Sequence, residues 1–335
     1  MKTRVLLFGI LIFNFLSGNA QTVTLYTPKG HSVYAFTRDE MSTSDITYWT
    51  LYYILNYPLA DAISSASTTY NCHSYAWNMH EGGPVCWLNE YPDLNKYWTG
   101  GSYKETTVAA TAIKIFYYNG DHSAIPIPFS SKYESKWGEG PLMQHDPGYG
   151  PLKYNMTDRK YYTGAISGPS IVSCSGNVNF SLTPTPSGVT WSVTSALNIV
   201  GSNTNTTLTV CKNPSTSLSS ATISAVVNHR GFTYNVSQIT GIETPPPPVT
   251  SVSASPSSVS WSSNQSVTVT AYPSITSSQG SYQWLVSPTS GVSQSPSSNV
   301  NNITFSIPGS YTVGARTYNS CGTQASYITT QVYVY

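Results

Sequence analysis

Ala221-Thr222-Ile223-Ser224-Ala225-Val226-Val227 alternates small or apolar and polar side chains with the two-residue period of a strand that keeps one face wet. Upstream, Val178-Asn179-Phe180-Ser181-Leu182 and Val189-Thr190-Trp191-Ser192-Val193 repeat the pattern. Downstream it returns in Ser266-Val267-Thr268-Val269-Thr270-Ala271, Tyr282-Gln283-Trp284-Leu285-Val286, Ile303-Thr304-Phe305-Ser306-Ile307 and Tyr311-Thr312-Val313-Gly314-Ala315. Turn-forming residues separate these runs, and beyond Gly164 the charged residues are Lys212, Arg230, Glu243 and Arg316 alone. Short alternating strands between turn signals are the pattern of β-sandwiches. Thr244-Pro245-Pro246-Pro247-Pro248-Val249 is a stiff polyproline-type spacer. It divides this half into residues 164–244 and 250–335, with 245–249 as linker. Each part has a strand, then a tryptophan strand, then late strands, so the two read as versions of one module.

Both modules resemble bacterial Ig-like domains. Gly309-Ser310-Tyr311-Thr312-Val313 with Asn319-Ser320-Cys321-Gly322 is similar to the closing strands of the PKD-type variant. The resemblance implies spacer, stalk or adhesive units that could meet a cell-surface glycan or a host protein, a choice the fold itself does not make. Cys174 and Cys211 flank the first module, and an oxidising compartment should join them in a disulfide. Cys321 is expected as a small buried hydrophobe. Cys86 could cross-link to Cys72.

Residues 1–20 read as an export signal. Lys2 and Arg4 precede the apolar run Val5 to Leu16, and Ser17-Gly18-Asn19-Ala20 offers a small-residue cleavage site. Later apolar runs are too short for a membrane span. Location is therefore expected to be secreted, periplasmic or at the cell surface. A net charge of +1 with 9% charged residues, and no lysine–arginine run, argues against nucleic acid as partner.

Residues 21–163 hold most of the charge and form the candidate functional domain. Residues 21 to about 40 are open between an extra strand pair and an inhibitory segment. Ser44 to Leu55 has apolar groups near helical spacing behind Ser/Asp caps. In Tyr70-Asn71-Cys72-His73-Ser74-Tyr75-Ala76-Trp77, Asn71 is an N-cap and Cys72 sits at the positive end of the helix it starts, which favours thiolate. Asn119-Gly120 reads as a two-residue hairpin turn between Ile113 to Tyr118 and His122 to Ile127. An imidazole on that second strand could take a proton from the thiol and return it to a leaving group. Helix first, then antiparallel strands, predicts an α+β domain.

This domain resembles the papain-like superfamily, in particular the NlpC/P60 and CHAP cell-wall amidases and peptidases. Asn71-Cys72-His73-Ser74-Tyr75-Ala76-Trp77 matches the layout of their Asp-Cys-Ser-Gly nucleophile motif while differing in letters, and His122-Ser123-Ala124-Ile125 is similar to their base-bearing strand. The resemblance implies an α+β papain-like domain followed by two all-β Ig-like sandwiches. It makes Cys72 the nucleophile and His122 the general acid/base, with Glu134, or else His145, orienting the imidazole. Cys72 N–H and a donor near Tyr70 would form the oxyanion hole. Asn71, His73, Trp77 and Trp137 would line the substrate groove.

The activity implied is a secreted cysteine hydrolase cutting amide bonds of peptidoglycan peptides or proteins through a thioester. The alternative is a non-catalytic surface adhesion or binding protein that keeps the domain on its stalk. Asp121 can be read as a turn residue, and Trp77, Trp87, Trp98 and Trp137 as core or groove wall rather than a sugar platform. No cofactor is expected. Cys72, His73, His80, Cys86 and His122 match no zinc spacing, so no metal is expected either.

Overall fold

The computed structural model describes residues 20–263, 266–274 and 280–335, so the export signal lies, up to its last residue, outside the described residues. The chain divides into two compact units. The first comprises the residues up to Ala165 with Leu182–Ser187 and Val227–Val236; the second comprises Ile166–Ser181, Gly188–Val226 and Ser237–Tyr335. Among the described residues no helix is long and apolar enough to cross a membrane.

The first unit opens with an antiparallel hairpin of β1 (Thr22–Tyr26) and β2 (Ser32–Phe36), which settles residues 21 to about 40 as a strand pair. Helix α1 (Thr43–Asn56) forms where the caps place it, with Ser42 Oγ accepting from the Asp45 N–H at 3.2 Å. Next come β3 (Asp61–Ser64), the short α2 (Lys96–Thr99), β4 (Tyr103–Thr106), β5 (Lys114–Tyr117), β6 (His122–Pro126), β7 (Tyr133–Lys136), β8 (Leu142–His145) and β9 (Arg159–Ser167). The sheet runs β9-β5-β6-β7-β8-β3, with β4 also on β9, and every pair is antiparallel. Strands β5 and β6 lie inside it. All four residues of β5 and four of five in β6 are buried, because both faces of these strands are covered. Ile115, Tyr117, Ala124, Trp137, Met143 and Tyr154 form the core on one face.

The α+β papain-like expectation is corrected. Of the described residues 47% are strand and 12% helix, too little helix for that architecture. None of the fourteen residues of α1 is buried, so it supplies no core face. Its apolar groups surround the axis instead of forming one stripe, and Tyr53 meets the core through Trp137 at 5.7 Å between ring centroids. The segment that Cys72 opens is short and irregular: a π-helix over Ser74–Asn78 runs into a 3-10 turn over Met79–Glu81.

The second unit is all strand apart from one short turn among its described residues. Its C-terminal part is a sandwich. One sheet places Val249–Ser255, Ser266–Pro273, Val300–Phe305 and Val292–Ser297 side by side; the other orders Ser258–Val259, Ile328–Val334, Gly309–Asn319 and Ser281–Ser287. Between them Val267, Val269, Ile303, Tyr311, Val313 and Val332 are buried. In the preceding module Val178–Thr183 pairs with Thr207–Lys212, which pairs with Leu197–Ile199, and Trp191 is buried with its indole N–H on the Asn205 carbonyl at 2.8 Å. The alternating runs lie in strands where the sequence places them, and this half is all-β as its pattern predicts.

The disulfide expectation is corrected. Cys174 is bonded to Cys321, and Cys211 is a free thiol. Strand alternation explains it. On Thr207–Lys212, Leu208 and Val210 are buried and Lys212 shares their face, reaching Cys174 Sγ at 3.0 Å. Cys211 therefore points the other way. Cys72 and Cys86 are also free; the Cys86 thiol lies 3.3 Å from Ser74 Oγ.

Candidate functional site

Asn71 behaves as the N-cap its position predicts. Its side-chain carbonyl accepts from the Ser74 N–H at 3.0 Å and the Leu88 N–H at 3.2 Å, while its amide donates to the Leu88 carbonyl at 2.6 Å. That fixes the start of the helical segment against the 86–98 loop. Cys72, which follows, is buried, with Sγ 3.9 Å from the Asp121 carbonyl. Burial pushes its thiol up to about 12, although the Ser123, His73 and Cys72 backbone N–H groups pull the other way. Desolvation of the anion outweighs the positive end of so short a helix.

The β5–β6 connection is not a two-residue turn. Tyr117 pairs with His122, leaving four residues in the loop, and Asp121 takes a left-handed φ of 43°. Gly120 is required for another reason: a Cβ there would lie 1.7 Å from the Tyr154 carbonyl oxygen. On β6, Ser123 faces the helical segment, so alternation turns His122 to the opposite face. There it stacks on Tyr154, with ring centroids 4.0 Å apart and planes 14° from parallel. Neither ring nitrogen of His122 has a hydrogen-bond partner, Cys72 included. Burial, then the nearby His145, His73 and Lys153, hold its pKa well below the ordinary imidazole range. The structure therefore does not bring Cys72 and His122 into a hydrogen-bonded pair.

The imidazole that meets this part of β6 belongs to His73. Its Nδ1 lies 2.8 Å from Ser123 Oγ and its Nε2 lies 2.8 Å from Asp121 Oδ1. Ser123 Oγ accepts the Trp77 indole N–H at 2.9 Å. A neutral ring satisfies every atom: Ser123 donates to Nδ1, and Nε2–H donates to the Asp121 carboxylate. The same trio recurs elsewhere in the sheet. His145 Nε2 lies 2.8 Å from Ser135 Oγ, which accepts the Trp137 indole N–H at 3.0 Å, and His145 Nδ1–H donates to the Asp146 carbonyl at 2.8 Å. His–Ser–Trp is thus this domain's way of satisfying polar groups under tryptophan.

The remaining expected residues are dispersed. The Glu134 carboxylate accepts from the Tyr75 hydroxyl rather than from an imidazole, and His145 is fully engaged as described. Tyr70 shares its hydroxyl with Ser64 at 3.4 Å and carries the Lys136 ammonium 4.8 Å from its ring centroid. Trp77 and Trp137 are 0% exposed and belong to the core.

What the structure does assemble is an open cleft of about 840 Å³ between the 87–98 segment and the loop before β6. Cys72 and His73 lie at its base, and Trp87, Tyr91, Trp98 and Tyr154 supply aromatic surface. Its charged groups are Glu90, Asp121 and Lys153. Burial and the Asp121 carboxylate raise Glu90 to about 7, while the His73 hydrogen bond keeps Asp121 below its usual value. Of this carboxyl pair, Glu90 is therefore the member that takes up a proton first as pH falls. His73, expected in the groove, does line the cleft; Ser123 and Glu90 had no motif to announce them, and strand parity around His122 was the available signal for Ser123.

Replacing His122 with phenylalanine is expected to leave the first unit unchanged in stability, or to gain it about 1 kcal/mol, since the imidazole nitrogens make no bonds to lose. Urea midpoints of the full chain check this. A marked loss of stability would show that the ring holds a polar partner.

No protein-family model matches the chain, and neither does any curated protein. Among solved structures it is similar to a chimeric titin Z1Z2, with 12% identity over 51% of this chain and 96% of that one, at a TM-score of 0.29. The fibronectin(III)-like modules of Clostridium thermocellum CbhA show 14% identity over 50% of this chain and 93% of theirs, at 0.26. Invasin, a bacterial integrin-binding protein, shows 14% identity over 61% of this chain and 44% of its own, at 0.26. The NlpC/P60 and CHAP resemblance, with the hydrolase and peptidase activity it implied, finds no support in any of these.

Proposed function

We propose that this is an exported, non-catalytic binding protein whose first unit presents the cleft and whose Ig-like modules act as a stalk. The observation that carries the reading is the state of Cys72. Its thiol is buried and neutral, the imidazole on β6 makes no hydrogen bond to it, and the imidazole beside it is committed to Asp121 and Ser123. Nucleophilic catalysis needs a thiolate or a base within hydrogen-bond reach, and neither is in place. The Cys174–Cys321 disulfide supports an oxidising location outside the cytoplasm.

The test is incubation of the full chain and its Cys72→Ala variant with purified peptidoglycan and with casein. Neither protein should release new amino termini above the buffer control. Release by the wild type that Cys72→Ala abolishes would overturn the reading.

A further inference from the structure

We infer that the cleft beside Trp87 and Trp98 binds a short neutral oligosaccharide. This rests on the cleft being a binding site, and it names the ligand class. Trp87 is held by Arg38, whose guanidinium lies 4.3 Å from the ring centroid, and by Phe36 at 6.5 Å. Trp98 is held by Tyr162 at 5.0 Å and Phe116 at 5.2 Å. None of these four supports lines the cleft. Both tryptophans are therefore fixed from outside and turn their remaining surface inward, as preformed apolar platforms. Tyr91, 85% exposed, extends the aromatic surface at the rim.

Around these platforms stand planar hydrogen-bonding groups: the Glu90 and Asp121 carboxyls and the amide side chains of Asn89 and Asn95. Side chains of this kind can take hydroxyls as donors and acceptors together. The Tyr154 hydroxyl adds a group that is buried and without a partner, 3.0 Å from where a Cβ on the cleft residue Gly138 would stand. Two further features narrow the ligand. Lys153 is the single cation among the cleft residues, against two carboxyls, which disfavours a polyanion. None of the cleft residues lies in a strand of the sheet, so no free edge offers the ladder an extended peptide would use. The volume is that of a small-ligand site.

The experiment titrates the full chain with N-acetylchitotetraose, cellotetraose and maltotetraose, followed by calorimetry. At least one should bind saturably. Trp87→Ala should weaken that binding by about tenfold or more, as expected for loss of an aromatic anchor. Glu90→Gln should weaken it measurably, and Trp261→Ala, an exposed tryptophan of the second unit, should leave it unchanged. If Trp87→Ala does not fold by circular dichroism, Trp87→Phe with Glu90→Gln carries the same test.

Absence of binding by all three sugars at millimolar concentration overturns the inference. So does sugar binding indifferent to Trp87 and Glu90, or Trp87-dependent binding of an extended peptide such as penta-alanine in their place. Cys72-dependent amide cleavage would instead sink the binding reading beneath it, so the two failures are distinguishable.

Discussion

Replacing Glu81 with alanine should destabilise the first unit by about 3–5 kcal/mol, the usual consequence of stranding a buried charge. Glu81 is the hub of a cationic cluster. Lys114 Nζ, on a side chain with 0% exposure, lies 2.6 Å from Oε1; His229 Nε2 lies 2.8 Å from Oε2; the Tyr103 hydroxyl donates to Oε1 at 2.8 Å. Arg230 Nε stands at 3.7 Å and His80 Nδ1 at 3.9 Å. Burial alone would raise the Glu81 carboxyl, but Lys114, His229 and His80 outweigh it and hold it far below the carboxylate range.

Without that carboxylate, Lys114 is left between β5 and its neighbours with no counter-charge. Glu81→Gln should recover only part of the loss, because the amide accepts hydrogen bonds without neutralising the lysine. Calorimetry of the full chain reads the effect as a lower transition temperature for the first unit. An unchanged transition would contradict the hub assignment.

The cluster also fixes a pH response. Burial and then Lys114 lower His80 to about 4, against an ordinary 6.5. A folded-state pKa below the unfolded one means that the unfolded chain binds more protons between pH 6.5 and 4. The contribution is complete above pH 6.5 and is lost as pH falls through that window. His122 and His145 are lowered too, so they act with the same sign. Glu81 adds its own loss below about pH 4.5. Glu90 acts in the opposite sense as a raised carboxyl, but it is one exposed group against two buried imidazoles and the half-buried His80. Melting temperature should therefore drop from pH 7 to pH 5, and His80→Gln should flatten the slope.

Reducing the Cys174–Cys321 bond, or replacing Cys321 with serine, should cost the second unit about 2–5 kcal/mol. The bond spans a sequence separation of 147 and ties the loop before strand Val178–Thr183 of the first module to the turn at Asn319–Gly322. Polar contacts flank it. The Cys174 N–H donates to Ser320 Oγ at 2.9 Å, Asn319 Nδ2 donates to the Thr244 carbonyl at 2.7 Å, and Thr317 Oγ1 donates to the Pro247 carbonyl at 2.8 Å. These contacts are exposed or only partly buried and should not hold the proline segment unaided.

Cys321→Ser is thus expected to lower the guanidinium midpoint and to widen the distribution of shapes seen by small-angle scattering. Cys211→Ser should change neither. Titration of the denatured, unreduced chain should find the thiols of Cys72, Cys86 and Cys211 and no others. Equal midpoints for wild type and Cys321→Ser would contradict the bracing role.

The sandwich half was legible because its strands keep one wet face, so Val267, Val269 and Val313 are written at alternate positions. Strands β5 and β6 erase that signal. Buried on both faces, they carry Lys114, His122 and Ser123 among apolar residues, and nothing local says which imidazole meets which neighbour. Parity decided the site. Reading His122 as the base required it to share a face with the helical segment, yet Ser123 takes that position. Parity decided the disulfide as well, since Lys212 rather than Cys211 shares the face that reaches Cys174. The α1 helix was legible in its caps but not in its packing, because apolar residues all round it leave no stripe to identify a buried side. Glu81 carried no sequence signal: its partners lie on β4, on β5 and around His229, and only the fold collects them.

The most direct measurement is the rate at which iodoacetamide alkylates Cys72 in the native full chain as a function of pH, read by peptide mass. A buried, neutral thiol should react far more slowly at pH 7 than the same residue in urea, with a rate rising about tenfold per pH unit and no plateau below about pH 10. A rate that is already fast and level at neutral pH would mean a standing thiolate, and the non-catalytic account would be wrong.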